Sequence, residues 1–119
     1  MSRSAPQVDA FGGGGFRLSG EWRQGSVLIL DDVARDWAVS SGAGLSAASL
    51  SAVLQAGPGV CELLVLGMGA ANALPPREVR EAFLRAGVGL EYLDTPAAAR
   101  LYNLLTSEGR RVAAALIAI

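Results

Sequence analysis

The stretch Val60-Cys61-Glu62-Leu63-Leu64-Val65-Leu66 is apolar at every position but Glu62, and it closes on Gly67-Met68-Gly69. A strand with one wet face alternates apolar and polar side chains. A near-continuous apolar run instead fits a strand covered on both faces, as in the parallel sheets of α/β proteins. The next residues point the same way. Pro75-Pro76 opens a helix over about Arg77 to Ala86, with Glu78 near its positive end, Arg85 near its negative end and Gly87 as its stop. Val88 to Leu93 then reads as a second strand, and a strand, helix and strand at this spacing form a right-handed crossover between parallel neighbours. Asp94 or Thr95 caps a further helix with Pro96 at its first position, which runs to about Ser107 or Glu108 before Gly109. The apolar end, Val112 to Ile119, suits a buried strand better than a helix.

The N-terminal half carries weaker periodicity. Residues 1–8 read as a flexible leader and residues 9–119 as a single α/β domain. Phe16-Arg17-Leu18 alternates as a half-buried strand, Ser19-Gly20 turns the chain, and Glu21-Trp22-Arg23 returns. Val27 to Leu30 is a third strand, ended by Asp31-Asp32, and Val33 to Trp37 reads as a short turn. Ser46 is a good N-cap for a helix from about Ala47 to Ala56, with Leu50, Val53 and Leu54 inward and Gly57-Pro58-Gly59 as its stop. The tract Gly12 to Gly15 lacks the helix and lysine of a phosphate-binding loop, so it reads as an approach to an edge strand.

Composition removes chemistry. Among 119 residues there is no histidine, and all ten basic residues are arginine. Imidazole bases, histidine metal ligands and lysine Schiff bases are therefore excluded. A net charge of -1 and a pI near 5.3 give no general attraction to nucleic acid. Cys61 has no disulfide partner, sits in an apolar run and reads as a small core side chain. Asp31, Asp32 and Asp36 read as a solvated strand end rather than a cation site. Neither terminus has the apolar length of a signal or a transmembrane segment, so a soluble cytoplasmic protein is expected.

Four blocks together resemble one family: Gly20 to Leu30, Leu63 to Gly69, Leu74-Pro75-Pro76 and, most specifically, Leu93 to Ile117. This is the domain of unknown function 498 family, of Mth938-like fold, which includes a mitochondrial assembly factor for respiratory complex I. The resemblance implies one three-layer α/β domain. Its central sheet would be mixed, with right-handed strand-helix-strand crossovers, an antiparallel last strand and a small N-terminal β layer. Two positions depart from the family pattern. Met68 stands where the glycine turn commonly has threonine, and Ala99 stands before Arg100 where the late helix commonly has cysteine. Thiol chemistry at that place is thereby excluded.

The candidate ligand-binding set is Gly67, Met68, Gly69, Asp94, Thr95, Arg100, Asn103 and Glu108. Parallel neighbours would bring the Gly67–Gly69 turn and Asp94-Thr95 together at their carboxyl ends, where open α/β sheets bind ligands. The helix after Thr95 would aim free N–H groups at an anion, and Arg100 would add a bidentate contact. Each residue also has a structural reading: Gly67 and Gly69 as a turn, Asp94 or Thr95 as a cap, Asn103 and Glu108 as hydrogen-bond partners of neighbouring loops, and Arg100 as an ion-pair partner of Glu108 or Asp94. Two functions are expected on these grounds. The first is a non-catalytic interaction protein related to complex I assembly, with a protein partner bound around the late helix and no nucleic acid. The alternative is a binder of a small anionic ligand in the Gly67–Thr95 crevice, or an enzyme there using Asp94, Glu108 or Tyr102 for proton transfer. No catalytic residue, metal or cofactor is assigned.

Overall fold

The computed structural model describes residues 5–119. A meander of β1 (Val8–Gly12), β2 (Gly15–Leu18) and β3 (Glu21–Gln24) forms a small antiparallel sheet. The main sheet adds β4 (Val27–Leu30), β5 (Val33–Asp36), β6 (Leu63–Gly67), β7 (Gly89–Leu93) and β8 (Val112–Leu116), in the order β5-β4-β8-β6-β7. The helices are α1 (Ser51–Ala56), α2 (Arg77–Ala86) and α3 (Thr95–Ser107). Residues 1–4 of the expected leader lie outside the described residues. At its other end the leader is shorter than expected, because Val8 is a buried β1 residue whose backbone is paired.

Two apolar clusters share the main sheet. Leu28, Leu64, Leu66, Ala113 and Ala115 meet Leu50, Val53, Val79 and Phe83 of the α1–α2 layer. On the opposite face Val27, Ile29, Val65, Ala114 and Leu116 meet Ala98, Ala99, Tyr102 and Leu105 of α3, together with Val8, Phe16 and Leu18 of the small sheet. Three layers result, and β8 runs through the middle one. Its sequence Val-Ala-Ala-Ala-Leu is buried throughout, and the alanines let layers on both faces approach closely. The last strand is antiparallel only toward β4; toward β6 it is parallel.

β6 and β7 are the expected parallel neighbours, paired from Leu63 opposite Gly89 through Gly67 opposite Leu93. The chain steps outward from β6 to β7 through α2 and back across β6 to β8 through α3. Opposite steps with helices on opposite faces give both crossovers the same hand, as the right-handed rule requires.

Several local expectations are corrected. Val33–Asp36 is a strand, not a turn, because Asp31 and Asp32 (φ 52° and 66°) make a tight hairpin that sends the chain back along β4. The helix expected from Ala47 starts as a 3-10 turn over Ala48–Leu50, with the Ser46 hydroxyl accepting from the Ser49 N–H at 3.2 Å. The strand expected from Val60 begins at Leu63, since the Cys61 N–H is held by the Gly57 carbonyl at 3.0 Å. A turn of two consecutive left-handed residues favours Asn-Gly over Asp-Asp. Asp31→Asn is therefore expected to raise stability by about 0.5 kcal/mol, read as a rise in the denaturant midpoint at constant slope.

Candidate functional site

β6 and β7 end side by side, and the chain leaves them for helices on opposite faces of the sheet. That geometry defines the crevice in which open α/β sheets bind ligands. Here hydrogen bonds cross it. The Met68 N–H donates to the Leu93 carbonyl at 2.7 Å, and the Thr95 N–H to the Gly69 carbonyl at 2.8 Å. The Gly69 N–H donates to Thr95 Oγ1 at 3.0 Å, and that hydroxyl donates to the Ile117 carbonyl at 2.7 Å. Thr95 is fully buried, so one hydroxyl ties the ends of β6, α3 and β8.

Gly67 is required by this approach. A Cβ there would meet Thr95 Oγ1 at 2.9 Å, Leu116 Cδ2 at 3.0 Å and Thr95 Cα at 3.1 Å. Gly69 sits at φ +105°, a conformation that L side chains rarely adopt. Met68 turns its side chain into the α1–α2 core, toward Gly42.

The α3 tip differs from expectation at the decisive groups. The Thr95 N–H is used by Gly69, Pro96 has none, the Ala97 N–H goes to Asp94 Oδ1 at 2.9 Å, and the Ala98 N–H goes to the Asp94 carbonyl. The N–H groups expected to face an anion are all engaged, and the capping group is a carboxylate. Gly67, Met68, Gly69, Asp94 and Thr95 do converge; the other three candidates do not join them. At about 1.5 Å rise per residue, Asn103 lies about 12 Å and Glu108 about 20 Å along the helix from Thr95. Arg100 is on the exposed side of α3, and Glu108 is the exposed C-cap.

Asn103 has a different task. Its Oδ1 accepts from the Val8 N–H and its Nδ2 donates to the Val8 carbonyl, each at 2.9 Å, so it holds β1 as a partner strand would. Tyr102 is buried beside it and donates its hydroxyl to the Pro6 carbonyl at 2.9 Å. Asn103→Ala is expected to cost about 2 kcal/mol, since both backbone groups of Val8 lose charge-neutral partners. Faster hydrogen exchange at the Val8 amide, with Leu64 unaffected, is the check. This agrees with the structural reading of Asn103 as a hydrogen-bond partner of a neighbouring segment; that the segment is β1 was not visible in the sequence.

Two concavities lie elsewhere. One, of about 190 Å³, is lined by Pro6, Leu18, Glu21, Trp22, Arg23 and Ala34. In it Arg23 Nε stands 3.3 Å from Asp36 Oδ1 but off the N–H direction, so the contact is an ion pair without a hydrogen bond. The other, of about 270 Å³, runs between α2 and β7 past Arg80, Phe83, Leu84, Val88, Leu90 and Tyr92, and it is mostly apolar. Among the described residues no three acidic, cysteine or histidine side chains cluster. Cys61 is buried, its thiol donating to the Leu63 carbonyl. Among the described residues no helix is long and apolar enough to cross a membrane.

Residues 8–117 match the family described as Protein of unknown function (DUF498/DUF598). An uncharacterized protein of Rhodobacter capsulatus is 38% identical over 110 residues, covering 92% of this chain and 82% of that protein. A Danio rerio protein named NADH dehydrogenase [ubiquinone] 1 alpha subcomplex assembly factor 3 is 38% identical over 103 residues, 87% of this chain but 59% of its own length. The chain thus spans less than two thirds of that assembly factor. Among solved structures, an outer membrane protein from Bartonella henselae superposes with a TM-score of 0.89 at 28% identity, over 99% of this chain and 98% of that one. The architecture is that of Mth938-like domains.

Proposed function

Because this chain belongs to the DUF498/DUF598 family, we propose that it is a non-catalytic interaction protein acting in the assembly of respiratory complex I. The observation that carries this reading is its similarity, over 87% of its length, to a protein named as a complex I assembly factor. The alternative, an anionic ligand or an enzyme active site in the Gly67–Thr95 crevice, is less favoured because the Thr95, Ala97 and Ala98 N–H groups of the α3 tip are used internally. Deleting the gene in its host is expected to lower assembled complex I severalfold, with recovery on return of the full chain. A deletion strain with normal NADH:ubiquinone oxidoreductase activity would overturn the proposal.

A further inference from the structure

Of the two outer strands of the main sheet, β7 has an apolar groove alongside it. The Gly89 N–H donates to Glu62 and the Leu93 carbonyl accepts from Met68, so residues 89, 91 and 93 turn their backbone groups toward β6. By alternation, Leu90 and Tyr92 turn theirs outward. The Tyr92 carbonyl meets Asn72 Nδ2 at 3.4 Å. Among the described residues, Leu90 N–H, Leu90 C=O and Tyr92 N–H take no partner and are open to an added strand. The groove follows this edge, with Leu84 on its rim.

Charge identifies the occupant. Glu81 is paired with Arg77 at 2.7 Å and faces Arg85 at 3.9 Å, while Glu78 accepts from the Ala47 N–H. Arg80 lines the groove; its Nε donates to the Pro75 carbonyl, and among the described residues it has no carboxylate partner. A second copy offers no free carboxylate there: two-fold pairing along β7 would keep both α2 helices on one face, where Glu78 and Glu81 are already engaged, while Glu91 lies on the other face. We propose that the β7 edge takes an extended segment of the partner protein as an added strand, with an aliphatic side chain in the groove and a carboxylate against Arg80. This rests on the interaction role proposed above and names its surface.

The test uses the full chain, ¹⁵N-labelled, and the peptide acetyl-Glu-Thr-Leu-Thr-Glu-amide. Its glutamates and leucine share one face, whichever way it runs. Saturable shifts are expected at the Leu90 and Tyr92 amides and near Leu84. The lysine counterpart should bind about threefold more weakly, as for an exposed ion pair, and Arg80→Glu should reverse that preference. Leu84→Glu, at an exposed position, should abolish the shifts without altering the fold. Equal binding of both peptides, unmoved Leu90 and Tyr92 amides, or self-association through β7 would each overturn the proposal. In the host, full rescue of complex I by Leu84→Glu and Arg80→Glu together would overturn the edge and leave the assembly role standing. Peptide binding at β7 alongside normal complex I in the deletion strain would do the reverse.

Discussion

Thr95→Val is expected to lower stability by about 3 kcal/mol and Tm by roughly 10 °C. The two side chains have nearly the same shape, so packing is preserved and the hydroxyl is what is lost. Its loss strands the Ile117 carbonyl and the Gly69 N–H in a fully buried place. A buried polar group left unpaired costs about 1–3 kcal/mol. Thr95→Ser keeps both bonds and loses only a methyl group, so about 1 kcal/mol is expected. Denaturant unfolding of the three proteins checks this, with equal slopes required for the comparison. A valine variant as stable as the serine variant would mean that the hydroxyl does not hold the junction.

Gly67→Ala is the second large effect, about 3 kcal/mol of destabilisation. The added methyl meets Thr95 Oγ1, Leu116 Cδ2 and the Thr95 backbone within 3.1 Å. A flexible side chain could move aside; the Thr95 Cα cannot, because Thr95 N–H and Oγ1 are both fixed. Gly67→Ala and the single variant Thr95→Ala act on one contact, so their costs should not add. The double variant Gly67→Ala/Thr95→Ala is expected to fall short of the sum by about 1 kcal/mol. Strict additivity would mean that the methyl is accommodated elsewhere.

The sequence was most legible where one residue type has one physical use. Gly87 in the left-handed conformation and Asp94 accepting from Ala97 N–H stand where capping chemistry requires them, and Pro96 falls in the first turn at the second helical position, one residue later than expected. The apolar run before Gly67 correctly implied a strand covered on both faces and the parallel β6–β7 pair. β5 was less legible because an outer strand needs little apolar character: Val33, Arg35 and Asp36 are exposed. The place of β8 between β4 and β6 depends on pairings far apart in the chain, which no local pattern encodes. For the candidate site, convergence of Gly67–Gly69 with Asp94-Thr95 was legible from topology. That its polar groups are spent on one another was not, since a capping threonine and a ligand-binding threonine look alike in sequence.

With that junction fastening the fold, the proposed recognition falls to the outer surface. Amide spectra of the full chain titrated with inorganic phosphate, acetate and a nucleoside diphosphate test this most directly. The Gly69, Thr95 and Ala97 signals are expected to stay in place up to millimolar concentrations of each. A saturable shift of those three signals with any of the anions would contradict the account.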